Sequence, residues 1–297
     1  MSTLFGMTGD FRFGVNMVVP DSRTAWVEKC RRVEELGYDV LSAADHLGMA
    51  PPFPALVLAG EVTSRVKLNT FVLNTPFYNP VLLAREVTGT DQFTDGRLEL
   101  GLGAGYVKKE FEAAGMPFPS ARERVDHLER TITELKRRYA DPEHKPASVR
   151  PEGPPLLLGG RGDRVLTLAA EHADIIGFTG TAKSPDGAAL VPATAEDIEE
   201  RVGFVRSKLG DRDAELNLLG HFVDITGDRK ASLGRFEEVF QGLMTTDQLA
   251  ELPTVLAGTP AEVAEQLRAH RERFGLTYYT LLEHNMEQFA PVLEHLR

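Results

Sequence analysis

Short apolar runs of β-prone residues alternate with amphipathic helical patterns along almost the whole chain. The helical patterns begin at capping residues, such as Ser120 with Glu123 three positions later, and end at glycines such as Gly37. Strands that alternate with helices in this way pair in parallel. The pattern therefore predicts an α/β fold, with strands at Phe11–Val19, Tyr38–Ala43, Val66–Leu73, Arg97–Leu102, Pro155–Leu158, Ala173–Phe178, Glu215–Ile225 and Leu276–Leu281.

The number of strand–helix units distinguishes two architectures. Eight units close a (β/α)8 TIM barrel. An open doubly wound sheet is the alternative, but it usually carries GxGxxG directly after its first strand, where this chain has Pro20-Asp21-Ser22-Arg23. We therefore predict one barrel domain over residues 1–297, with insertions after strands 4, 6 and 7. The insertion after strand 6, Gly180–Pro192, is rich in small residues and predicted to be a mobile loop.

Composition and charge narrow the classes of function. The 297 residues are 42% hydrophobic, which is enough for a large core. A net charge of −11 argues against nucleic acid and anionic membranes as partners, because both need clustered Lys and Arg. Cys30 is the one cysteine, so no intramolecular disulfide forms. The sequence shows neither a signal-peptide pattern nor an apolar run of about 18 residues, and we expect a cytoplasmic protein.

Polar residues follow the second and third predicted strands, where a barrel carries its functional residues. Asp45 and His46 end strand two. An imidazole titrates near neutrality and suits acid–base work; alternatively, Asp45 caps the loop and His46 is a structural polar residue. Asn74 and Thr75 follow strand three and suit either a hydrogen bond to the edge of a heterocycle or an ordinary turn.

Glycines mark the ends of strands four and five. Gly101, Gly103 and Gly105 alternate along strand four, which lets a planar ring approach the backbone or simply forms a tight barrel corner. Gly159-Gly160-Arg161-Gly162 stands between strand five and a helix. Backbone N–H groups before a helix, together with a guanidinium, suit a phosphate; a plain left-handed turn is the alternative.

The remaining motifs are less informative. His221 lies within predicted strand seven and His284 lies beyond strand eight, and both are weaker candidates for the barrel mouth. Helical histidines are expected to face solvent; they are His127, His172, His270 and His295. No GxSxG, HxH or HExxH occurs, so neither a serine hydrolase nor a catalytic metal is indicated. A metal-dependent barrel hydrolase would need ligands at several strand ends, and only strand two offers them.

Taken in order, these segments resemble the luciferase-like monooxygenase superfamily, and most closely its coenzyme F420-dependent oxidoreductase branch. Each segment is short, but the series runs in family order from about Phe11 to Phe289. The matching segments are Ser42–His46, Leu73–Pro76, Tyr78–Pro80, Asp95–Gly105, Glu110–Phe111, Gly115–Phe118, Gly159–Gly160 and Leu256–Pro260.

The resemblance implies a bacterial-luciferase-like barrel that holds a flavin-type ring at its mouth. Asp45 and His46 would lie beside the ring, with His46 as the acid/base or substrate-orienting group. Phe71–Val72 would match the place where the family often has a non-proline cis peptide, and Asn74 would bond the ring edge. The residues implied to line the ring are Gly103, Ala104, Gly105 and Tyr106, and those implied to hold the phosphate are Gly159, Gly160 and Arg161.

The resemblance also implies an enzyme that moves a hydride between the deazaflavin coenzyme F420 and a small organic substrate, in a homodimer. Lys108, Lys109 and Arg164 flank the predicted mouth and favour the anionic tail of F420. The alternatives are an FMN-dependent monooxygenase that uses molecular oxygen and a non-catalytic cofactor-binding protein. Tyr106 stands where related sugar-phosphate dehydrogenases carry an acid, which speaks against that substrate.

Overall fold

The computed structural model describes residues 10–19, 22–183, 190–239 and 244–297. The first half of the chain contains β1 (Arg12–Met17), α1 (Arg23–Glu35), β2 (Val40–Ala43), α2 (Pro52–Val62), β3 (Lys67–Thr70), β4 (Leu73–Asn74), α3 (Pro80–Phe93), β5 (Leu98–Gly103), α4 (Lys108–Ala113) and α5 (Ala121–Tyr139). The second half contains β6 (Leu156–Gly160), α6 (Asp163–His172), β7 (Ile175–Phe178), β8 (Thr181–Lys183), β9 (Leu190–Pro192), α7 (Ala195–Leu209), β10 (Glu215–Gly220), β11 (Phe222–Ile225), α8 (Arg229–Val239), α9 (Thr246–Ala250), β12 (Val255–Gly258), α10 (Pro260–Phe274), β13 (Tyr278–Leu282) and α11 (Met286–Glu294).

Eight parallel strands close into a barrel, as the sequence predicts. Their order around the barrel is β1, β2, β3, β5, β6, β7, β10 and β13, and β13 pairs again with β1. The register places Asn16 of β1 beside Ser42 of β2, and Ser42 beside Asn69 of β3. The closed parallel sheet confirms the (β/α)8 barrel over the open sheet. It also brings the carboxyl ends of all eight strands to one rim.

An ionic cluster fills the amino-terminal end of the barrel. Arg12 donates hydrogen bonds to Glu99, at 2.6 Å, and to Glu215, and its guanidinium lies 4.7 Å from the ring centroid of Tyr278. Burial alone would disfavour these charges, and their mutual attraction offsets part of that cost. Because side chains close this end, the cavity described below opens at the opposite rim.

Amphipathic helices cover the outside of the barrel. The longest, α5, begins at the capping box that the sequence predicts, in which Ser120 and Glu123 bond each other's backbone N–H groups. Its buried face carries Leu128, Ile132 and Leu135. Within the described ranges, no helix is both long enough and apolar enough to span a bilayer.

Three predicted elements differ in the structure. Val66–Leu73 is divided at Phe71–Val72 into β3 and β4. Glu215–Ile225 is not one strand, because the chain leaves the barrel at His221 and β11 then pairs with β12 in a separate two-stranded sheet. The Gly180–Pro192 segment is not all loop, since β8 and β9 pair antiparallel at its two ends; residues 184–189 lie outside the described residues. A period-two apolar pattern identifies a strand but not the sheet that it joins.

His270 corrects the expectation that helical histidines face solvent. Its ring packs against Phe274 and Tyr279, with centroids 5.8 and 6.4 Å away, and burial lowers its pKa to about 4. Between about pH 6.5 and pH 4 the unfolded chain therefore binds a proton here that the folded chain does not, and stability falls as the pH falls.

We expect His270 to account for a loss of about 2 kcal/mol in unfolding free energy between pH 7 and pH 5. His270→Phe should remove that part of the slope in urea denaturation. His295→Phe, at an exposed position, controls for the change of residue. An identical slope in His270→Phe and the unmodified chain would contradict the assignment.

Candidate active site

A cavity of about 500 Å³ opens at the carboxyl rim of the barrel. The cofactor and catalytic residues predicted from sequence all line it: Asp45, His46, Phe71, Val72, Asn74, Gly103, Ala104, Gly105, Tyr106, Gly159, Gly160 and Arg161. They come from the ends of four barrel strands, so the closure of the barrel brings together residues that are far apart in the chain. Their roles toward a ligand remain predictions.

His46 is held by a carboxylate that the sequence analysis did not single out. Its Nδ1 lies 2.7 Å from Oε1 of Glu110, which α4 carries onto the rim. The edge of the Tyr106 ring flanks the imidazole, with centroids 6.2 Å apart. A signal for Glu110 was present, because Glu110-Phe111 belongs to the series that carries the family resemblance.

Asp45 ties two loops of the rim together. It accepts hydrogen bonds from the backbone N–H of Asn74, at 2.9 Å, and from the hydroxyl of Tyr78, at 3.1 Å. Burial raises the pKa of Asp45, while both hydrogen bonds act in the opposite direction. These contacts match the alternative in which Asp45 caps the loop. Asp45 therefore positions the strand ends beside His46, and a direct catalytic role for it remains a prediction.

One side of the cavity, the glycine wall, consists of Gly103 of β5 and Gly159 of β6 with Val72 packed against them. The Phe71–Val72 peptide is cis, as the resemblance implied. A Cβ on Gly103 would lie 2.8 Å from Val72 Cγ2, and one on Gly159 would lie 3.3 Å from Val72 Cγ1. Side chains at these glycines would displace Val72 or narrow the cavity. The two glycines therefore allow Val72 to lie close to the backbone of β5 and β6.

Gly105 is required by its backbone and by its neighbour. Its φ is +68°, in the left-handed region, and a Cβ there would lie 2.0 Å from the side-chain oxygen of Asn74. That oxygen is buried and has no hydrogen-bond partner within the described part of the chain. A buried acceptor without a partner is costly, so a ligand N–H or O–H would satisfy Asn74.

The end of β6 has the features of an anion site. Gly160 and Arg161 precede α6, whose first turn leaves backbone N–H groups free to bind an anion. An adjoining cavity of about 310 Å³ shares both residues and adds Arg201, which bonds Asp163 at 2.5 Å. Two of the cations predicted to flank the mouth are already paired, Lys108 with Glu112 and Arg164 with Asp126.

Among the described residues, no three His, Cys, Asp or Glu side chains group closely enough to hold a metal ion. The side chains at this rim include an imidazole held by a carboxylate, at His46, and a buried amide oxygen, at Asn74.

Comparison with known proteins identifies relatives of this chain. Residues 5–209 match the family model described as luciferase-like monooxygenase. The chain is 26% identical over 281 residues to an F420-dependent glucose-6-phosphate dehydrogenase of Intrasporangium calvum, covering 82% of this chain and 84% of that enzyme. It is 30% identical over 178 residues to a 5,10-methylenetetrahydromethanopterin reductase of Archaeoglobus fulgidus, covering 55% of this chain and 51% of the reductase.

Solved structures share the fold. An F420-dependent secondary alcohol dehydrogenase superposes with a TM-score of 0.74 at 15% identity, over 97% of this chain and 98% of that one. The monooxygenase RslO1 of Streptomyces bottropensis also gives a TM-score of 0.74, at 20% identity, over 96% of this chain and 100% of that one. At these identities the structural matches support the barrel and not a shared substrate.

Proposed function

The chain belongs to the luciferase-like monooxygenase family, and we propose that it is a coenzyme F420-dependent oxidoreductase. Its substrate reacts at the carboxyl rim of the barrel. The observation that carries the proposal is the His46–Glu110 pair, which lies in the same cavity as the glycine wall and Arg161. Relatives named F420-dependent glucose-6-phosphate dehydrogenase support the choice of coenzyme.

Three features of the cavity fit a flat, phosphate-bearing coenzyme. Val72 packs directly on Gly103 and Gly159, and together they form one side of the cavity, against which a planar ring would lie. The side-chain oxygens of Asn16 and Asn74 are buried, line the cavity and have no partner in the described chain, so each is an acceptor for a ring N–H or a ribityl hydroxyl. Arg161 and the backbone N–H groups before α6 would hold the phosphate. When bound, coenzyme F420 supplies hydride chemistry.

The protein itself contributes a group that exchanges a proton with the substrate, the imidazole of His46. The carboxylate of Glu110 fixes Nδ1 and leaves Nε2 to exchange a proton with the oxygen of the substrate. It also stabilises the imidazolium that forms when His46 takes that proton. Asp45 holds the loop of His46 against the loop of Asn74, so the proton-exchanging group keeps its position relative to the ring wall.

Equilibrium binding of F420 and FMN tests the choice of coenzyme. We expect F420 to bind in the micromolar range or more tightly, and Arg161→Ala to weaken that binding about 30-fold, because a charge-assisted hydrogen bond is lost. Arg164→Ala is the matched control, since Arg164 lies three residues further on and is paired with Asp126. It should change the affinity by less than about twofold.

Two results would contradict the proposal. Micromolar binding of FMN, without binding of F420, would favour the oxygen-using monooxygenase. If Arg161→Ala and Arg164→Ala weakened F420 binding equally, the proposed phosphate position at the end of β6 would be wrong.

A further inference from the structure

The part of the cavity that the glycine wall does not form is largely apolar. It combines side chains from several strand ends and from the insertions. Those side chains are Val18, Met49, Val107, Phe178, Leu219 and Leu282.

The charges on the cavity wall are unevenly distributed. Among the described side chains that line it, Arg161 is the one Lys or Arg, and it stands at the proposed phosphate position. Asp45 and Glu110 lie at the His46 end. A second anion would therefore meet two carboxylates without a cation to neutralise it. Burial of an unpaired anion is strongly unfavourable, and the net charge of −11 adds a repulsive field.

His221 adds a neutral polar contact to this apolar region. It lines the cavity at the point where the chain leaves β10. Burial lowers the pKa of its imidazole, so the ring is largely neutral at pH 7. A neutral imidazole carries one N–H donor and one acceptor nitrogen. His221 therefore offers a hydrogen bond to a hydroxyl and no charge to an anion.

From these observations we propose that the substrate is an uncharged, largely apolar alcohol, and that His221 determines specificity by accepting a hydrogen bond from a second hydroxyl of it. In the reaction the carbinol C–H leaves as hydride and reduces the deazaflavin. The O–H proton passes to His46, and the carbon–oxygen bond becomes a carbonyl. The proposal rests on the proposed function, and it predicts that phosphorylated substrates are rejected.

Three compounds with the same secondary carbinol separate charge from hydrogen bonding: 2-hexanol, 1,5-hexanediol and 5-hydroxyhexyl phosphate. Each is titrated calorimetrically into the protein with and without F420, and turnover is measured with F420. We expect the diol to bind about fivefold more tightly than 2-hexanol. The phosphate should bind at least about tenfold more weakly than the diol and turn over correspondingly slowly.

His221→Leu tests the specificity residue. It should abolish the preference for the diol over 2-hexanol by raising KM for the diol, with kcat within about twofold of the unmodified enzyme. His284→Leu is the matched control, because His284 is exposed and does not line the cavity.

The outcomes separate the two proposals. Binding of the phosphate as tight as that of the diol would overturn the uncharged substrate. An unchanged preference for the diol in His221→Leu would overturn the role of His221. A preference for the neutral compounds without any binding of F420 would support the substrate class and overturn the coenzyme assignment alone.

Discussion

His46→Ala is expected to lower kcat by about 10²–10⁴-fold and to change the affinity for F420 by less than about threefold. The imidazole is the proposed proton acceptor, whereas the proposed coenzyme contacts are the glycine wall, Asn74 and Arg161. The measurement is the absorbance of the deazaflavin during turnover, together with an equilibrium titration of the same variant. A cofactor carrier would lose nothing in function, so an unchanged kcat would favour the non-catalytic alternative.

Glu110→Gln is the control for His46→Ala. The amide keeps a hydrogen-bonding group near Nδ1 but cannot balance the charge of an imidazolium. Charge-assisted hydrogen bonds are roughly twice as strong as neutral ones, so we expect about a tenfold loss in kcat, which corresponds to about 1.4 kcal/mol. A larger loss in Glu110→Gln than in His46→Ala would mean that Glu110 is the proton acceptor and His46 its support.

Gly101→Ala is expected to destabilise the barrel by about 3 kcal/mol. A Cβ at this position would lie 1.8 Å from the carbonyl oxygen of Thr70 and 3.1 Å from the Asn69 side chain. A backbone atom cannot move aside as a flexible side chain can, so β3 and β5 would have to separate. The hydrogen bonds between the Thr70 hydroxyl and the backbone of Gly101 would be lost with them.

Gly203→Ala is the matched control for Gly101→Ala. Gly203 lies inside α7, and a Cβ there meets nothing within 4 Å. Alanine in a helix interior is more stable than glycine by about 0.5–1 kcal/mol, so this variant should gain stability. Urea denaturation of both variants measures the contrast. Similar free energies of unfolding would show that β3 and β5 are not as close as described.

Most of the barrel follows from periodicity, because each strand is an apolar run between helical patterns. The positions at which a predicted strand is interrupted cannot be predicted from periodicity. The third predicted strand, Val66–Leu73, is interrupted at Phe71–Val72, so that β3 and β4 are separate. The change of sheet at His221 also cannot be predicted from the sequence, because Glu215–Gly220 and Phe222–Ile225 have similar β propensity. Both breaks depend on contacts with distant segments, which local pattern does not encode.

The candidate site was predictable where a strand end carries its own signal. Asp45, His46 and the glycines of β5 and β6 stand at strand ends and could be named from the barrel alone. Glu110 could not be derived from spacing, because its contact with His46 joins residues 64 positions apart and depends on how α4 lies on the rim. The choice between the two roles of Asp45 also needed its partners, Asn74 and Tyr78.

The outer sheet of β11 and β12 has its own small core, formed by Leu233, Leu249, Leu252, Val255 and Ala257 and distinct from that of the barrel. The chain enters this unit directly after His221 and returns to the barrel layer through α10. Sequence changes in this unit can therefore move His221, a residue of the cavity wall, while the hydrogen bonds of the barrel stay intact. We therefore expect that exchanging residues 222–258 between relatives would change selectivity and leave the barrel scaffold intact.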